Sequence, residues 1–592
     1  MPPALLLSLL APNASACGGF ACNQARPVLQ NAERIVFGLD DQLGTVEMHV
    51  QITYTGDAQD FAWIVPVPAD PELGVSSSAL FTRLARATQP IFNLNVVEEG
   101  HCTDGVDGSL FLNEYSVKAD GAPSASTAGG SGGVTVVDTE AVGPYDTVTL
   151  QADSQETLLA WLADHDYDVP DNIGAALAPY VAQGAYFVAL RLQKDRDVGD
   201  LAPLSLRYDG TRAMVPVQLT SISATPDMRM EAYVLSDARA VPESYLHVQI
   251  NDAAVDWFTF GTNYADVITQ AADEAGGHAF ATDYYGDASI AKPIWIESAY
   301  DPASLRAART LSAFVERLQP AVKMASPELF TALDDVVGQT GQGQLAWQCP
   351  DCVDDRIDGD AATDLVFERV VAPMREAQAL MDRFPKLSRM TSSLDAVEMT
   401  VDPVFVLNRD MKDEVRKRRN ADLVYKCGNG RKRLQAPRQL VLADGRAIDL
   451  PSDQWFFDHT ITPFEYISAL GEQKAQVIEQ TGANGCAPGP RRPHGRLPGR
   501  GQGVQPLVLG RLRRGRRGDG GRRARTRPAR RRGAPPPELS ATLVVGLDDG
   551  HPVVDEAHPA VLGVDAAEPA HAHVLGAEVG PRHPSAPASR PR

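Results

Sequence analysis

The stretch Thr45–Tyr54, TVEMHVQITY, decides how the chain is to be read. Val46, Met48, Val50, Ile52 and Tyr54 alternate with Thr45, Glu47, His49, Gln51 and Thr53. Side chains of an extended strand leave on opposite faces in turn, so a period of two predicts a strand with one face in the core. Gly56-Asp57 then marks a turn, and Phe61, Trp63, Val65 and Val67 alternate again in a second strand. Pro66 and Pro68 lack a ladder donor and end that strand or place it at a sheet edge. Ser76–Ser78 can cap a helix in which Leu80, Phe81 and Leu84 have helical spacing.

Further along, Asp120–Gly133 is a linker of small residues. Strands are predicted near Val134–Val137 and Val148–Leu150, with helices around Gln155–Ala163 and between Asn172 and Gly184. Tyr186–Leu192, Met214–Leu219, Met228–Leu235 and Leu246–Ile250 read as further strands. From about Asn263 helical spacing takes over: Thr262 can cap a helix running to Ala275, which Gly276-Gly277 stops. Ala303–Leu318 and Pro327–Val337 are amphipathic, with Pro320 between them. No regular βαβ rhythm is present. The expected class is therefore α+β, with mixed, mainly antiparallel sheets in the N-terminal region and a more helical C-terminal region. The expected divisions are a signal peptide at 1–16, α+β regions at 17–117 and 134–260 around a Gly/Ser/Ala linker at 118–133, a helix-rich region with a C-x-x-C loop at 261–486, and a tail at 487–592.

That tail is unlike the rest. It contains no Lys, Asn, Cys, Met, Ile, Phe, Tyr or Trp, and so has little from which to pack a core. Its abundant residues have GC-rich codons, the pattern of a GC-rich gene read out of frame, and the expectation is a disordered segment. It holds 19 Arg against 9 acidic residues, whereas residues 1–486 hold 36 basic and 67 acidic residues, a net of −31. Such an acidic body repels phosphate, so nucleic acid is excluded as a partner. At the N-terminus a short apolar run, Ala4–Leu10, precedes Ala14-Ser15-Ala16, an A-x-A cleavage pattern immediately before Cys17. Export is expected, to the periplasm, the cell surface or the medium. In that setting Cys17, Cys22, Cys102, Cys349, Cys352, Cys427 and Cys486 are disulfide candidates, and their odd number leaves one thiol free or without its partner.

Several segments carry a family resemblance. They are Cys17-Gly-Gly-Phe-Ala-Cys22, Asn31-Ala-Glu-Arg-Ile35, Asp60-Phe-Ala-Trp-Ile-Val-Pro-Val-Pro68, Leu158-Leu-Ala-Trp-Leu162 and Tyr167-Asp-Val-Pro170. Pro216-Val-Gln-Leu-Thr-Ser-Ile-Ser-Ala224, Asp273-Glu-Ala-Gly-Gly-His-Ala-Phe280 and Glu398-Met-Thr-Val-Asp-Pro-Val-Phe405 continue the set. Together they resemble the bacterial domain-of-unknown-function family 2330 over roughly residues 17–410. The resemblance implies an exported protein and supplies no catalytic residues. It also implies a C-terminal sorting anchor, a hydrophobic helix followed by an Arg cluster, and this chain has no such helix after Cys486. A membrane association is expected only through an anchor of that kind, lost with the frame.

Chemistry-bearing patterns are few. Cys349-Pro-Asp-Cys352 fits a redox dithiol or half a zinc site, yet Asp351 and its acidic neighbours disfavour a thiolate, and disulfides are the expected state. Asp358-Gly359-Asp360 suggests a calcium loop, but Arg356 and Leu365 stand where a loop starting at Asp354 needs ligands. Cys349, Cys352, Asp358 and Asp360 are thus the metal candidates, with no assembled ligand set, and no cofactor is expected; zinc and calcium stay open. His278, after Gly276-Gly277, is the best lone histidine for a site, with a hydrogen-bonded structural role as the competing reading. Gly129-Gly-Ser-Gly-Gly133 matches G-x-S-x-G in letters only, since it lies in a linker rather than between strand and helix. No catalytic constellation assembles. The first expectation is a non-catalytic envelope or surface protein with an envelope partner that the sequence does not name. The alternative is an extracytoplasmic enzyme, thiol-redox at the C-x-x-C or a hydrolase with an unrecognised site.

Overall fold

The strand that opens the sequence analysis runs from Thr45 to Thr55 and lies inside a nine-stranded sheet. The computed structural model describes residues 20–21, 29–55, 62–103, 134–165, 167, 173–193, 202–291, 293–353, 355–472, 476–478, 546–548 and 551–553. The chain divides into two units, residues 1–500 and 501–592.

In the first unit the central strands are β1 (Leu29–Asp40), β2 (Thr45–Thr55), β3 (Glu72–Val75), β4 (Leu204–Asp209), β5 (Ala224–Ser236), β6 (Leu246–Gln249), β7 (Ala279–Asp287), β8 (Lys386–Leu394) and β9 (Gln476–Ile478). Their order across the sheet is β9-β6-β7-β8-β5-β1-β2-β4-β3. Only β5 with β1 and β6 with β7 run parallel. The fold is α+β, with mixed and mostly antiparallel sheets.

Each face of this sheet buries a different layer. Ile35, Phe37, Leu39, Val46, Met48 and Val50 pack against Val65, Val67, Val188, Leu190 and Leu192 of a five-stranded sheet, and against Phe405 and Leu407 of a three-stranded one. Val36, Tyr233, Leu235 and Leu387 face the other way, onto helices that include Ser78–Thr88, Leu311–Leu318, Pro327–Val337 and Ala372–Arg383. The five-stranded sheet is covered on its far side by the helices Gln155–Asp164 and Ile173–Ala182. A separate core, with Phe92, Trp257, Leu423 and Ile467, fills the lobe built on Ile91–His101, Arg418–Asn429, Arg438–Val441 and Ala447–Leu450.

Several expectations are met closely. Tyr186–Leu192 is a strand and Pro327–Val337 a helix, with Pro at the first turn and Gly338 in the left-handed conformation at its end. Ser77 caps the Ser78–Thr88 helix. Pro66 sits where its strand is paired on one side only, because Phe20–Ala21 meets just Ala62 and Trp63. Other expectations change. Met214–Leu219 is not one strand: Ala213–Met214 pairs with Val404–Phe405, and Pro216 then starts the short helix Val217–Thr220. Ala303–Leu318 breaks into Pro302–Arg306 and Leu311–Leu318, each with its own cap, Asp301 and Thr310.

Residues 261–486 are helix-rich up to Arg383, yet they also supply β7, β8 and the strands Val404–Asn408, Arg418–Asn429, Arg438–Val441 and Ala447–Leu450. The regions expected at 17–117, 134–260 and 261–486 therefore share one central sheet. The expected linker at 118–133 and signal segment at 1–16 lie outside the described residues. In the second unit, Gly546–Asp548 and His551–Val553 pair antiparallel, and the rest of that unit lies outside the described residues.

Close approach of helix to sheet is fixed at Gly38 on β1. A Cβ there would lie 2.5 Å from Leu380 Cδ1 and 2.9 Å from the Phe384 ring. Gly38→Val is expected to push the Ala372–Arg383 helix off the sheet and cost about 1–3 kcal/mol, read from the urea midpoint; an unchanged midpoint would mean the layers are not in contact there.

Candidate functional site

The polar face of β2 is largely covered rather than open to solvent at Glu47, His49 and Gln51. Glu47, His49 and Gln51 lie beneath the start of the Ser78–Thr88 helix and the Ala372–Arg383 helix, and His49 is 1% exposed. His49 Nδ1 is 2.7 Å from Ser76 Oγ, and His49 Nε2 is 3.2 Å from Glu47 Oε1. Arg383 donates to Glu47 from the far side at 2.8 Å. Burial pulls the Glu47 carboxyl upward, but the His49 ring and the Arg383 guanidinium outweigh it and hold Glu47 down at about 2. Burial raises the neighbouring Glu376 instead.

Ser76 follows β3 and precedes a helix, within Gly74-Val75-Ser76-Ser77-Ser78, so strand, serine, histidine and carboxylate come in the arrangement of a nucleophilic relay. Two features disable that chemistry in this conformation. The Ser76 residue is 1% exposed, so a substrate carbonyl cannot reach its hydroxyl. The helix N-terminus, where an oxyanion would be held, is taken by Glu328: Ser78 donates to its Oε1 through both its N–H, at 3.3 Å, and its hydroxyl. The line acts as a polar tie between sheet and helices.

A second buried set lies at the other end of the same helix. Arg389 on β8 is 5% exposed and donates to Glu231 on β5 at 3.1 Å. Its Nε faces Asp283 Oδ2 at 3.4 Å without hydrogen-bond alignment. Asp283 is the extra residue of a bulge in β7, between Thr282 and Tyr284, which turns its carboxylate into this cluster. Thr391 donates to Asp283 at 2.6 Å, Tyr264 also donates to it, and Tyr233 donates to Glu231 at 2.8 Å. Burial raises Tyr233 and Tyr264, while Arg389 and Arg34 hold Glu231 below its ordinary value against the pull of burial. Arg389 also points to the Ala85 carbonyl, in the last turns of the helix, at 3.5 Å.

A third set joins segments far apart in sequence. Asp402 accepts from the Gln218 N–H, the Gln218 side chain and the Tyr180 hydroxyl, each at 3.0 Å. Burial nevertheless raises Asp402. His278 Nε2 lies 2.7 Å from the Glu398 carbonyl, and a Cβ on Gly277 would fall 2.4 Å from the Glu398 side chain. Asp273–Phe280 and Pro216–Ala224 thus both pack on Glu398–Phe405. His278 is a hydrogen-bonded structural residue, edge-on to Tyr245. Alongside, Asp227, Arg229, Asp266 and Asp273 line a groove of ≈ 390 Å³.

A family model described as an uncharacterized protein conserved in bacteria, DUF2330, matches residues 11–328. The chain belongs to the DUF2330 family. No curated protein and no solved structure matches. Of the segments that carried the resemblance, Glu398–Phe405 lies beyond the matched span, and it is the one on which two matched segments close. Cys349, Cys352, Asp358 and Asp360 also lie beyond it.

Each of those four residues has a partner within the protein. Cys349 and Cys352 are joined to each other, and Cys102 to Cys427. Cys102 takes a partner 325 residues distant, brought alongside by the parallel pairing of Ile91–His101 with Arg418–Asn429. Asp358 caps the Gly359–Val366 helix through the Asp360 and Ala361 N–H groups, and Asp360 pairs with Arg306 at 3.4 Å. The calcium-like letters thus coincide with a helix start. Among the described residues no group of three or more His, Cys, Asp or Glu is placed to hold a metal ion. Cys17, Cys22 and Cys486 lie outside the described residues.

The Glu47–His49–Ser76 line was hidden because its partners are 27 residues apart and strand alternation assigns His49 only a face. The Arg389 cluster left a fainter signal: single charges inside otherwise buried strands, as in MEAYVL and SRMTSSL. Glu47→Gln is expected to destabilise the fold by on the order of 3 kcal/mol at pH 7. A carboxyl whose folded value is depressed contributes above its unfolded value of 4.5 and loses that contribution as pH falls toward 2, so the gap in urea midpoint between wild type and variant should close over that window. Arg389→Met removes the ion-pair partner of buried Asp283 and leaves Glu231 with Arg34 alone, and is expected to cost about 3–5 kcal/mol by the same measurement; a loss below about 1 kcal/mol would show the cluster to be open to water.

Proposed function

We propose that this bacterial protein is exported and works in the cell envelope or on the cell surface, binding a partner or building structure rather than catalysing a reaction. The observation that carries the reading is the Cys102–Cys427 disulfide, whose sulfur-bearing residues are 4% and 0% exposed. A buried cross-link between distant strands forms and persists in an oxidising compartment and is rare in a reducing cytosol. The A-x-A pattern ahead of Cys17 supports the same placement. The surplus of carboxylates in residues 1–486 suits a soluble envelope protein and opposes nucleic acid as a partner. Enclosure of Ser76 speaks for a non-catalytic role over a hydrolase. The partner, on this reading, is another envelope component, and any membrane attachment would be made by residues outside those described; among the described residues no helix is long and apolar enough to cross a membrane.

Expression of the chain with its own N-terminus in a Gram-negative host tests the proposal. The mature chain is expected in the extracytoplasmic fraction, beginning at Cys17, with the Cys102 and Cys427 peptides joined in a non-reducing digest. A chain retained in the cytoplasm with both thiols free would overturn it.

A further inference from the structure

The two disulfides differ in every respect that governs thiol exchange. Cys102 and Cys427 are buried in the lobe core, whereas Cys352 is exposed and Cys349 half-buried. The stabilisation a cross-link gives through the unfolded chain grows with the loop it closes. Cys102–Cys427 closes a loop of 325 residues' separation and Cys349–Cys352 one of 3, so the short bridge adds little to the fold. Nor does the turn depend on it. Cys349 N–H donates to the Leu345 carbonyl at 2.8 Å, Cys352 N–H to Cys349 at 2.9 Å, and Val353 N–H to Pro350 at 3.2 Å. Trp347, two residues before the pair, is buried, and its carbonyl accepts from Gln319 at 2.8 Å. With the sulfur–sulfur bond opened, these contacts still hold the two Cα atoms near their present 5.3 Å, inside the range from which a disulfide re-forms.

We infer that Cys349–Cys352 is a thiol-exchange site, a surface disulfide that is reversibly reduced by an external dithiol while Cys102–Cys427 stays oxidised. The inference does not rest on export. A dithiol's thiolate attacks the exposed Cys352 sulfur, the Cys349–Cys352 bond breaks, and Cys349 leaves as a thiolate that takes a proton. The dithiol's second thiolate then attacks its own sulfur in the mixed disulfide and releases Cys352, which is protonated in turn. Two electrons and two protons pass to the protein, and the dithiol leaves as a cyclic disulfide. Asp351, between the two cysteines, disfavours thiolates there, so the pair rests oxidised until a dithiol is supplied.

The test uses the full-length native chain in mixtures of reduced and oxidised dithiothreitol. Free thiols are trapped by alkylation and located by peptide mass spectrometry, with Trp emission followed in parallel. Cys349 and Cys352 are expected to be alkylated at least a hundredfold faster than Cys102 and Cys427, and to return to the intramolecular disulfide when oxidised dithiothreitol is restored. Cys349→Ser leaves the exposed sulfur free and is expected to capture one equivalent more of thionitrobenzoate than the wild-type chain, from the aromatic disulfide reagent without denaturant, with the added group located on the Cys352 peptide. The inference fails if the pair is reduced no faster than Cys102–Cys427, if it opens only in denaturant, or if the reduced form re-oxidises into intermolecular dimers. Circular dichroism of the Cys349→Ser variant separates a misfolded chain from a folded chain whose sulfur does not react.

Discussion

The Ser78–Thr88 helix packs one face and its whole first turn against the sheet and the other helices, and a helix leaves partial charge of opposite sign at its two ends. Water is kept from the first turn, Ser78–Phe81, whereas the last turn reaches solvent at Arg86 and Gln89. A carboxylate, Glu328, meets the first N–H, that of Ser78, and a guanidinium, Arg389, meets the Ala85 carbonyl. Each is itself far from solvent and needs partners of its own. Glu328 takes the Ser78 hydroxyl, which in turn accepts from Gln51; Arg389 takes Glu231 and Asp283, which take tyrosine and threonine hydroxyls. Several polar groups on the sheet's helix-facing side thus belong to networks that reach the buried first turn of one helix and its Ala85 carbonyl.

This explains what the sequence showed and what it concealed. Period-two alternation in Thr45–Thr55 and helical spacing in Pro327–Val337 are local properties, and both elements stand where the pattern puts them. The same alternation marked Glu47 and His49 as a polar face, but polarity says nothing about whether that face meets water or a second polar layer. Lys386–Leu394 was hidden for the converse reason. Its Ser, Arg and Thr side chains resemble a loop until Arg389 and Thr391 are seen paired with acids from β5 and β7. Asp283 reaches that pair only through a bulge, which no spacing rule announces.

The cysteines divide along the same line. The spacing of Cys349 and Cys352 marked them as a motif, with disulfides expected but the pairing open, and the structure joins them to each other. Spacing could not mark Cys102 and Cys427, because their meeting depends on a parallel strand pair assembled from opposite ends of the described chain. At Asp358–Asp360 the letters carried two readings, because a carboxylate followed by Gly suits a helix cap as well as a ligand loop, and Asp358 caps the Gly359–Val366 helix.

The position of β8 bears on where this family's structural unit ends. It lies between β5 and β7, in the interior of the sheet, yet it comes from residues 386–394, well past the end of the matched span at 328. A polypeptide cut at that boundary would keep both neighbours and lose the strand between them, opening a slot roughly 10 Å wide lined by unpaired backbone groups on either side. Sequence similarity and foldability therefore have different borders in this protein: the smallest autonomous piece is set by hydrogen-bond closure of the sheet, and must reach at least to Leu394.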